Sequence, residues 1–253
     1  MALNLPTAYN LLEFDLVDST NSTATEIASK GEEVAPDGTL IWAREQKLGR
    51  GRRGKVWDSP RGNLYLSLIL RPEIPLSNAT QLSFVAALDL YDTLGNMGPA
   101  GHQVHLKWPN DVLLNNKKVA GILIETEGRF AKDFPNWLIL GLGLNIEWHP
   151  KNKELNATSL KFEGWETTVE DALQGFSRSF LSWTNKWLDD GFRPIRENWL
   201  WRSIGKGSLI KVNIGDRILE GIFQDIDKDG ALLLNQSGVV KRITTGDVFF
   251  LEP

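Results

Sequence analysis

Residues 104–125 read VHLKWPNDVLLNNKKVAGILIE, and the places where this run breaks decide the fold. Val104–Trp108, Val112–Leu114 and Val119–Glu125 alternate or run apolar, as strands with one or both faces buried do. Pro109-Asn110-Asp111 interrupts the first pair with residues that favour a turn, and Asn115-Asn116 sits in the next gap as a hairpin turn. Working outward, Leu11–Val17, Thr39–Ala43, Asn63–Leu70 and Trp137–Gly141 are further strands. The segment after Asp18-Ser19-Thr20-Asn21 is a helix that Ser19 or Thr20 could cap. Arg44–Gly62, loaded with Gly and Arg, forms a long loop between two of the strands. Leu76–Leu94 predicts a helix packing Leu82, Val85 and Leu88 inward, ended by the Gly/Pro-rich break at Gly95–Gly101. Leu173, Phe176, Phe180, Trp183 and Trp187 fall at alternating spacings of three and four. They therefore share one helix face over Thr168–Leu188, which is core and not a cofactor box. Beyond Gly205 short alternating strands are punctuated at Gly215-Asp216, Asp227–Gly230, Ser237-Gly238 and Gly246-Asp247, a small β-barrel pattern. The expectation is an α+β protein. A mixed, largely antiparallel sheet flanked by helices occupies 1–204 and a barrel occupies 205–253, with the boundary near Trp201–Gly207.

The composition narrows the function classes. A chain of 253 residues has room for one large unit plus a small one, and 42% hydrophobic residues with ten tryptophans can bury a core. The net charge of −4 argues against a generic polyanion binder, so any basic site is local. The absence of cysteine removes disulfides, thiolate metal sites and thioester intermediates together. His102, His105 and His149 form no His-Glu-x-x-His pair, and no Gly-x-Ser-x-Gly elbow is present. No apolar run approaches the ~18 residues of a membrane span, and residues 1–12 do not read as a signal peptide. A cytoplasmic protein is expected.

Gly49-Arg50-Gly51-Arg52-Arg53-Gly54-Lys55 sets four cations among three glycines in an otherwise acidic chain. Glycine lets backbone N–H groups approach an anion, and arginine adds bidentate charge-assisted hydrogen bonds. The same density also fits a solvated or nucleic-acid-binding loop. Lys107-Trp108-Pro109-Asn110-Asp111 offers a cation, an aromatic and two Asx side chains at a strand end, or only a plain turn. Lys118 is either a ligand at the head of a buried strand or a solvated strand end. Gly141-Leu142-Gly143-Leu144-Asn145 has the small residues needed where a ligand ring lies on backbone, although glycine in a strand also marks bulges.

Taken together and in order, these segments resemble the biotin–protein ligase family. The likeness covers Asp18–Asn21, Gln46 with Gly49–Gly54, Trp57–Pro60 leading into Asn63–Ser67, Lys107–Asp111, Lys118–Glu125 and Gly141–Asn145. It continues through Asp227–Leu234. The resemblance implies a catalytic unit like that of class II aminoacyl-tRNA synthetases and biotin ligases, acting on biotin and ATP with Mg²⁺. In that family Ser19, Thr20 and Gln46 would hydrogen-bond the ureido ring, beside backbone around Gly121, Gly141 and Gly143. Arg50, Gly51 and Arg52 would line the carboxylate and phosphate path, and Lys118 would hold the α-phosphate and carboxylate oxygens. Trp57 would cover the adenine or pack as core, with Asn145 near the nucleotide. Asn21, Gly49, Lys107 and Asn110 lie in the matching segments and join the ligand-binding set.

Charge dictates the chemistry that follows. A carboxylate attacking a phosphate needs cations, supplied by Arg50, Arg52 and Lys118, to neutralise the approaching oxygens. Asp111 is the candidate base for the acceptor lysine. The implied acceptor is the biotin carboxyl carrier domain of a carboxylase such as acetyl-CoA carboxylase; both monomer and homodimer remain open. Many bacterial relatives begin with a DNA-reading winged helix, and here the match begins within the first twenty residues, so the monofunctional kind without DNA binding is expected. A lipoate–protein ligase or octanoyltransferase of the same fold is the nearest alternative, and a non-enzymatic nucleic-acid module using Arg50–Lys55 is a further one.

Overall fold

The computed structural model describes residues 3–126 and 135–250. Its main sheet has seven strands, β1 (Asn10–Phe14), β2 (Thr39–Ala43), β3 (Leu64–Leu70), β4 (Val104–Lys107), β5 (Asp111–Leu114), β6 (Lys117–Thr126) and β7 (Leu138–Leu144), in the order β1-β2-β3-β7-β6-β5-β4. Only β1 and β2 run parallel; every other neighbouring pair is antiparallel. The helices are α1 (Thr20–Ala28), α2 (Gln81–Met97), α3 (Val169–Asp190) and α4 (Phe192–Arg202).

Side-chain alternation divides the sheet between two cores. Leu40, Trp42, Leu64, Leu66 and Leu68 face the main core under α2, α3 and α4. Ile41, Ile69 and Ile139 point the other way, toward α1 and its Ala24 and Ala28. Each fully buried leucine or isoleucine contributes roughly 1.5–3 kcal/mol, whereas an alanine methyl contributes nearer 0.8. Alanines thus let α1 approach the sheet closely but grip it weakly, and the polar groups at its N-terminus supply the rest of its anchorage.

Most element boundaries fall within one or two residues of the sequence expectations, and four differences are larger or add an element. β1 stops at Phe14; beyond it Val17 makes only an isolated parallel bridge to Gln46. The expected helix over Leu76–Leu94 is a 3-10 turn at Leu76–Asn78 followed by α2, which runs through Gly95 to Met97. β7 continues past Gly141 to Leu144. Helix α4, which the periodicity leaves unassigned, follows α3 after Gly191 takes φ +74°. Pro194 lies in the first turn of α4, where its missing N–H costs nothing.

The C-terminal segment forms β8 (Leu209–Ile214), β9 (Arg217–Ile226), β10 (Leu232–Gln236), β11 (Val239–Ile243) and β12 (Asp247–Phe250). They make a five-stranded antiparallel sheet in the order β11-β10-β9-β8-β12, and the anticipated turn signals fall between its strands. Its β9–β10 turn docks on the main core. Trp108 Nε1 donates to Gly230 O at 3.0 Å, and a Cβ on Gly230 would lie 2.7 Å from the Phe84 ring. No described helix is long and apolar enough to cross a membrane.

Candidate active site

The N-terminus of α1, the strand β3 and the loop after β2 meet in a buried cluster of neutral polar groups, called the pocket below for the ligand it is read to hold. Ser19, Thr20 and Asn21 are buried there. Ser19 holds the N-cap position without a side-chain cap. Gln46 takes over part of that task, since its Oε1 accepts from Thr20 N at 2.7 Å and from Thr20 Oγ1 at 3.1 Å. Gln46 Nε2 then donates to Ser59 Oγ at 2.9 Å, and Ser59 Oγ to Trp57 O at 2.7 Å. From β3, Ser67 Oγ donates to Asn21 Oδ1 at 2.5 Å and lies 2.8 Å from Thr20 Oγ1. Asn21 Nδ2 donates to Glu125 Oε2 at 2.7 Å.

Glycines on the neighbouring strands make room for these side chains. A Cβ on Gly141 would lie 2.1 Å from Asn21 Oδ1, and one on Gly143 would lie 2.5 Å from Trp57 Nε1. Gly121 faces Trp57 and Lys118, and Gly49 faces Ser59 and Gln46. The β7 ladder keeps its register through Gly141 and Gly143 on both sides. Their role is close approach by Asn21 and Trp57, and no bulge forms. Trp57 Nε1 is buried with no acceptor among the described residues.

Cations ring the mouth of this pocket, and each is already partnered. Arg50 forks onto Glu125 through Nε at 3.2 Å and Nη2 at 2.9 Å, and its Nη1 donates to Ser22 Oγ at 2.6 Å. Arg52 donates to Asn110 Oδ1 at 3.2 Å, Thr245 Oγ1 at 3.0 Å and Gly246 O at 3.4 Å. Arg53, with φ +56°, also reaches Thr245, and Lys55 pairs with Asp247 at 2.7 Å. Burial lowers the pKa of Arg52 from its ordinary value. Burial opposes ionisation of Asp247, yet the hydrogen bond and charge of Lys55, with Arg53 and Arg52 behind, hold its carboxyl below the usual range. The C-terminal sheet therefore clasps the glycine-rich loop.

Lys118 differs from the arginines in being built into a strand. Its Nζ lies 2.5 Å from Asp111 Oδ1 and 5.3 Å from the centre of the Trp57 ring. Asp111 opens β5 opposite Gly121 and pairs across β4 with Lys107. Lys107 Nζ sits 5.7 Å and 5.5 Å from the Phe249 and Phe250 rings. Burial holds its ammonium below the usual lysine range, with Lys118 and Lys55 pushing the same way and Asp111 and Asp247 opposing.

Of the residues singled out from sequence, Ser19, Thr20, Asn21, Gln46, Gly49, Trp57, Gly121, Gly141 and Gly143 converge on the pocket. Arg50, Arg52, Asn110, Asp111 and Lys118 stand at its mouth. Three are less engaged. Gly51 closes its own loop by donating to Lys55 O at 2.7 Å. Lys107 faces the C-terminal aromatics. Asn145, though its backbone bonds Val119 O beside Lys118, spends its side-chain amide on Thr158 O at 3.0 Å. Ser59, Ser67, Glu125, Thr245 and Asp247 received no role from sequence. Ser67 carried a signal: it is the lone small hydroxyl in the fully buried strand LYLSLIL.

Comparison with known proteins finds matches over most of the chain. The model of the biotin/lipoate A/B protein ligase family matches residues 45–201, and that of the biotin protein ligase C-terminal domain matches residues 207–251. A biotin–(acetyl-CoA-carboxylase) ligase of Paracoccus denitrificans is 40% identical over 92% of this chain and 97% of its own length. The bifunctional ligase/repressor BirA of Bacillus subtilis is 35% identical over 94% of this chain and 73% of its own. Among solved structures, the biotin protein ligase of Aquifex aeolicus in complex with biotin and ATP superposes with a TM-score of 0.80 at 26% identity. That likeness covers 96% of this chain and 99% of the other.

Proposed function

The chain belongs to the biotin/lipoate A/B protein ligase family, and we propose that it activates biotin with ATP as biotinyl-5′-AMP and transfers it to a lysine of a carrier domain. The observation that carries this reading is the pairing of a buried neutral pocket with a cationic mouth. A cyclic urea offers one carbonyl acceptor and two N–H donors, which Ser19, Thr20, Asn21, Gln46 and Ser67 match without net charge. Biotin's carboxylate then emerges among Arg50, Arg52 and Lys118. The indole of Trp57, with its unmet N–H, covers the nucleotide, and Asn145 supports that side from behind.

In the first half-reaction a biotin carboxylate oxygen attacks the α-phosphorus and the bond to pyrophosphate breaks. Lys118 and the two arginines offset the negative charge that gathers. In the second, the acceptor lysine's neutral amine attacks the acyl carbon and AMP leaves. Asp111 takes the amine's proton once Lys118 has turned from it to the phosphate, so one ion pair serves both steps. Mg²⁺ would accompany the phosphates of the nucleotide and offset their charge.

On this reading residues 1–204 form the catalytic unit and 205–253 the unit that clasps the Arg52–Lys55 segment. The acceptor is the biotin carboxyl carrier domain of acetyl-CoA carboxylase, modified in the cytoplasm where ATP is at hand. Calorimetry with biotin and with lipoate, followed by pyrophosphate release, tests the assignment. Tight binding of biotin alone and biotin-dependent pyrophosphate release are expected. Preference for lipoate, or affinity only for nucleic acid, would overturn it.

A further inference from the structure

Glu125 ends the apolar run of β6 at a place where a solvated strand end would serve, yet it accepts hydrogen bonds from two parts of the site. Its Oε2 takes Asn21 Nδ2 at 2.7 Å and Arg50 Nη2 at 2.9 Å, while Oε1 takes Arg50 Nε at 3.2 Å. We propose that Glu125 is a positioning residue that couples the neutral pocket to the cationic loop, fixing the amide of Asn21 and the guanidinium of Arg50 with one carboxylate. This rests on the biotin reading above.

An ionised carboxylate only accepts hydrogen bonds. Its contact with Asn21 therefore obliges the amide nitrogen to face Glu125 and the amide oxygen to face Ser67 and the pocket. Asn21 cannot relieve a reversed amide by moving away, because it is 3% exposed and pressed against the backbone of Gly141. With Glu125 in place the pocket presents an acceptor at Asn21, which is what a urea N–H requires. The same carboxylate draws Arg50 over the α1 side of the mouth, where Ser22 Oγ accepts from its remaining nitrogen, Nη1. Arg50 can then meet the ligand carboxylate only when the ring below has found Asn21 correctly set. As a plain stabilising contact the pair is unpromising: Arg50 and Glu125 side chains are 39% and 31% exposed, and ion pairs so open to water contribute little to stability.

Glu125→Gln preserves the shape but must turn its own amide nitrogen toward either Asn21 or Arg50. Glu125→Asp keeps the charge but falls a methylene short of spanning both. Both variants should bind biotin at least about tenfold more weakly, a loss larger than any fall in melting temperature accounts for, because the amide of Asn21 and the guanidinium of Arg50 are no longer set together. The coupling itself is read from a double-mutant cycle on biotin affinity with Asn21→Ser and Arg50→Gln. In the wild-type background the combined loss should differ from the product of the single losses by about threefold or more. In the Glu125→Gln background the two losses should multiply. Wild-type affinity in both Glu125 variants, a loss that merely follows a falling melting temperature, or coupling that survives Glu125→Gln would each overturn the proposal. If the wild-type protein binds no biotin, the ligand reading falls first and this inference with it.

Discussion

Thr20, Asn21, Gln46, Ser59 and Ser67 on one side of the site, and Arg50, Arg52, Arg53 and Lys55 on the other, are held in opposite ways. The neutral groups are bonded to one another and stand on α1, β3 and the loop after β2, largely out of water. The cations ride a glycine-rich loop and are bonded to elements outside it: Arg50 to β6, Arg52 to the turn before β5 and to Thr245, and Arg53 and Lys55 to the C-terminal segment. Unpairing a buried polar group costs about 1–3 kcal/mol, whereas a half-exposed ion pair is worth only about 0–1 kcal/mol. On the proposed reading the contrast teaches that the neutral groups are set before a ligand arrives, while the cations exchange cheap partners for substrate oxygens. Lys118 lies between the two cases, a charge carried on a strand.

Removing Lys118 should break the account most severely. Its placement on β6 makes it the best preorganised of the cations, so Lys118→Ala should slow biotinyl-adenylate formation by roughly a hundredfold or more. Pyrophosphate release checks this, and an unchanged rate would reject the role. Next comes the preset pocket. Gly143→Ala puts a Cβ where the Trp57 indole stands. The variant should lose at least about tenfold in nucleotide affinity by calorimetry, since backbone and a packed indole have little room to yield.

Changes on the loop should be gentler. Arg52→Gly cuts the tie to Asn110 and Thr245, so it should chiefly let activated biotin escape, a severalfold rise in adenylate released per turnover. Labelling of bystander lysines measures it, and leakage equal to the wild type would remove Arg52 from the closure. Smallest of all for activity is Asp89, buried in α2 with Thr93 on one oxygen and no partner for the other among the described residues. Burial raises the pKa of this carboxyl well above its ordinary value. The folded state then holds the proton more tightly than the unfolded chain, so stability falls as pH rises from the usual carboxylate range toward the folded value. Asp89→Asn, which cannot ionise, should raise the melting temperature at neutral pH, with the gain shrinking toward pH 4 and turnover unchanged. A pH-independent difference would contradict this.

Much of the candidate site was legible because its residues broke local rules: cations among glycines, glycines inside a strand, Asx residues beside a proline. Fold class was legible because the runs of 104–125 and the stripe of Thr168–Leu188 carry strong periods. What escaped has a common cause. Glu125, Thr245 and Asp247 look like ordinary polar ends of strands or turns, and only the long-range pairing of sheets brings them to the loop. Ser59 and Ser67 act through bonds to groups many residues away. Helix α4 escaped since a positive-φ glycine and a proline stand where sequence signals a stop.

Hydrogen exchange with and without a non-hydrolysable biotinyl-adenylate analogue tests the preset pocket against the exchanging cations most directly. Amides of Leu64–Leu70 in β3 should be strongly protected in both states, while those of Gly49–Lys55 should exchange freely without the analogue and gain protection with it. Equal protection of Gly49–Lys55 in the two states, or a β3 that becomes protected only on binding, would contradict the account.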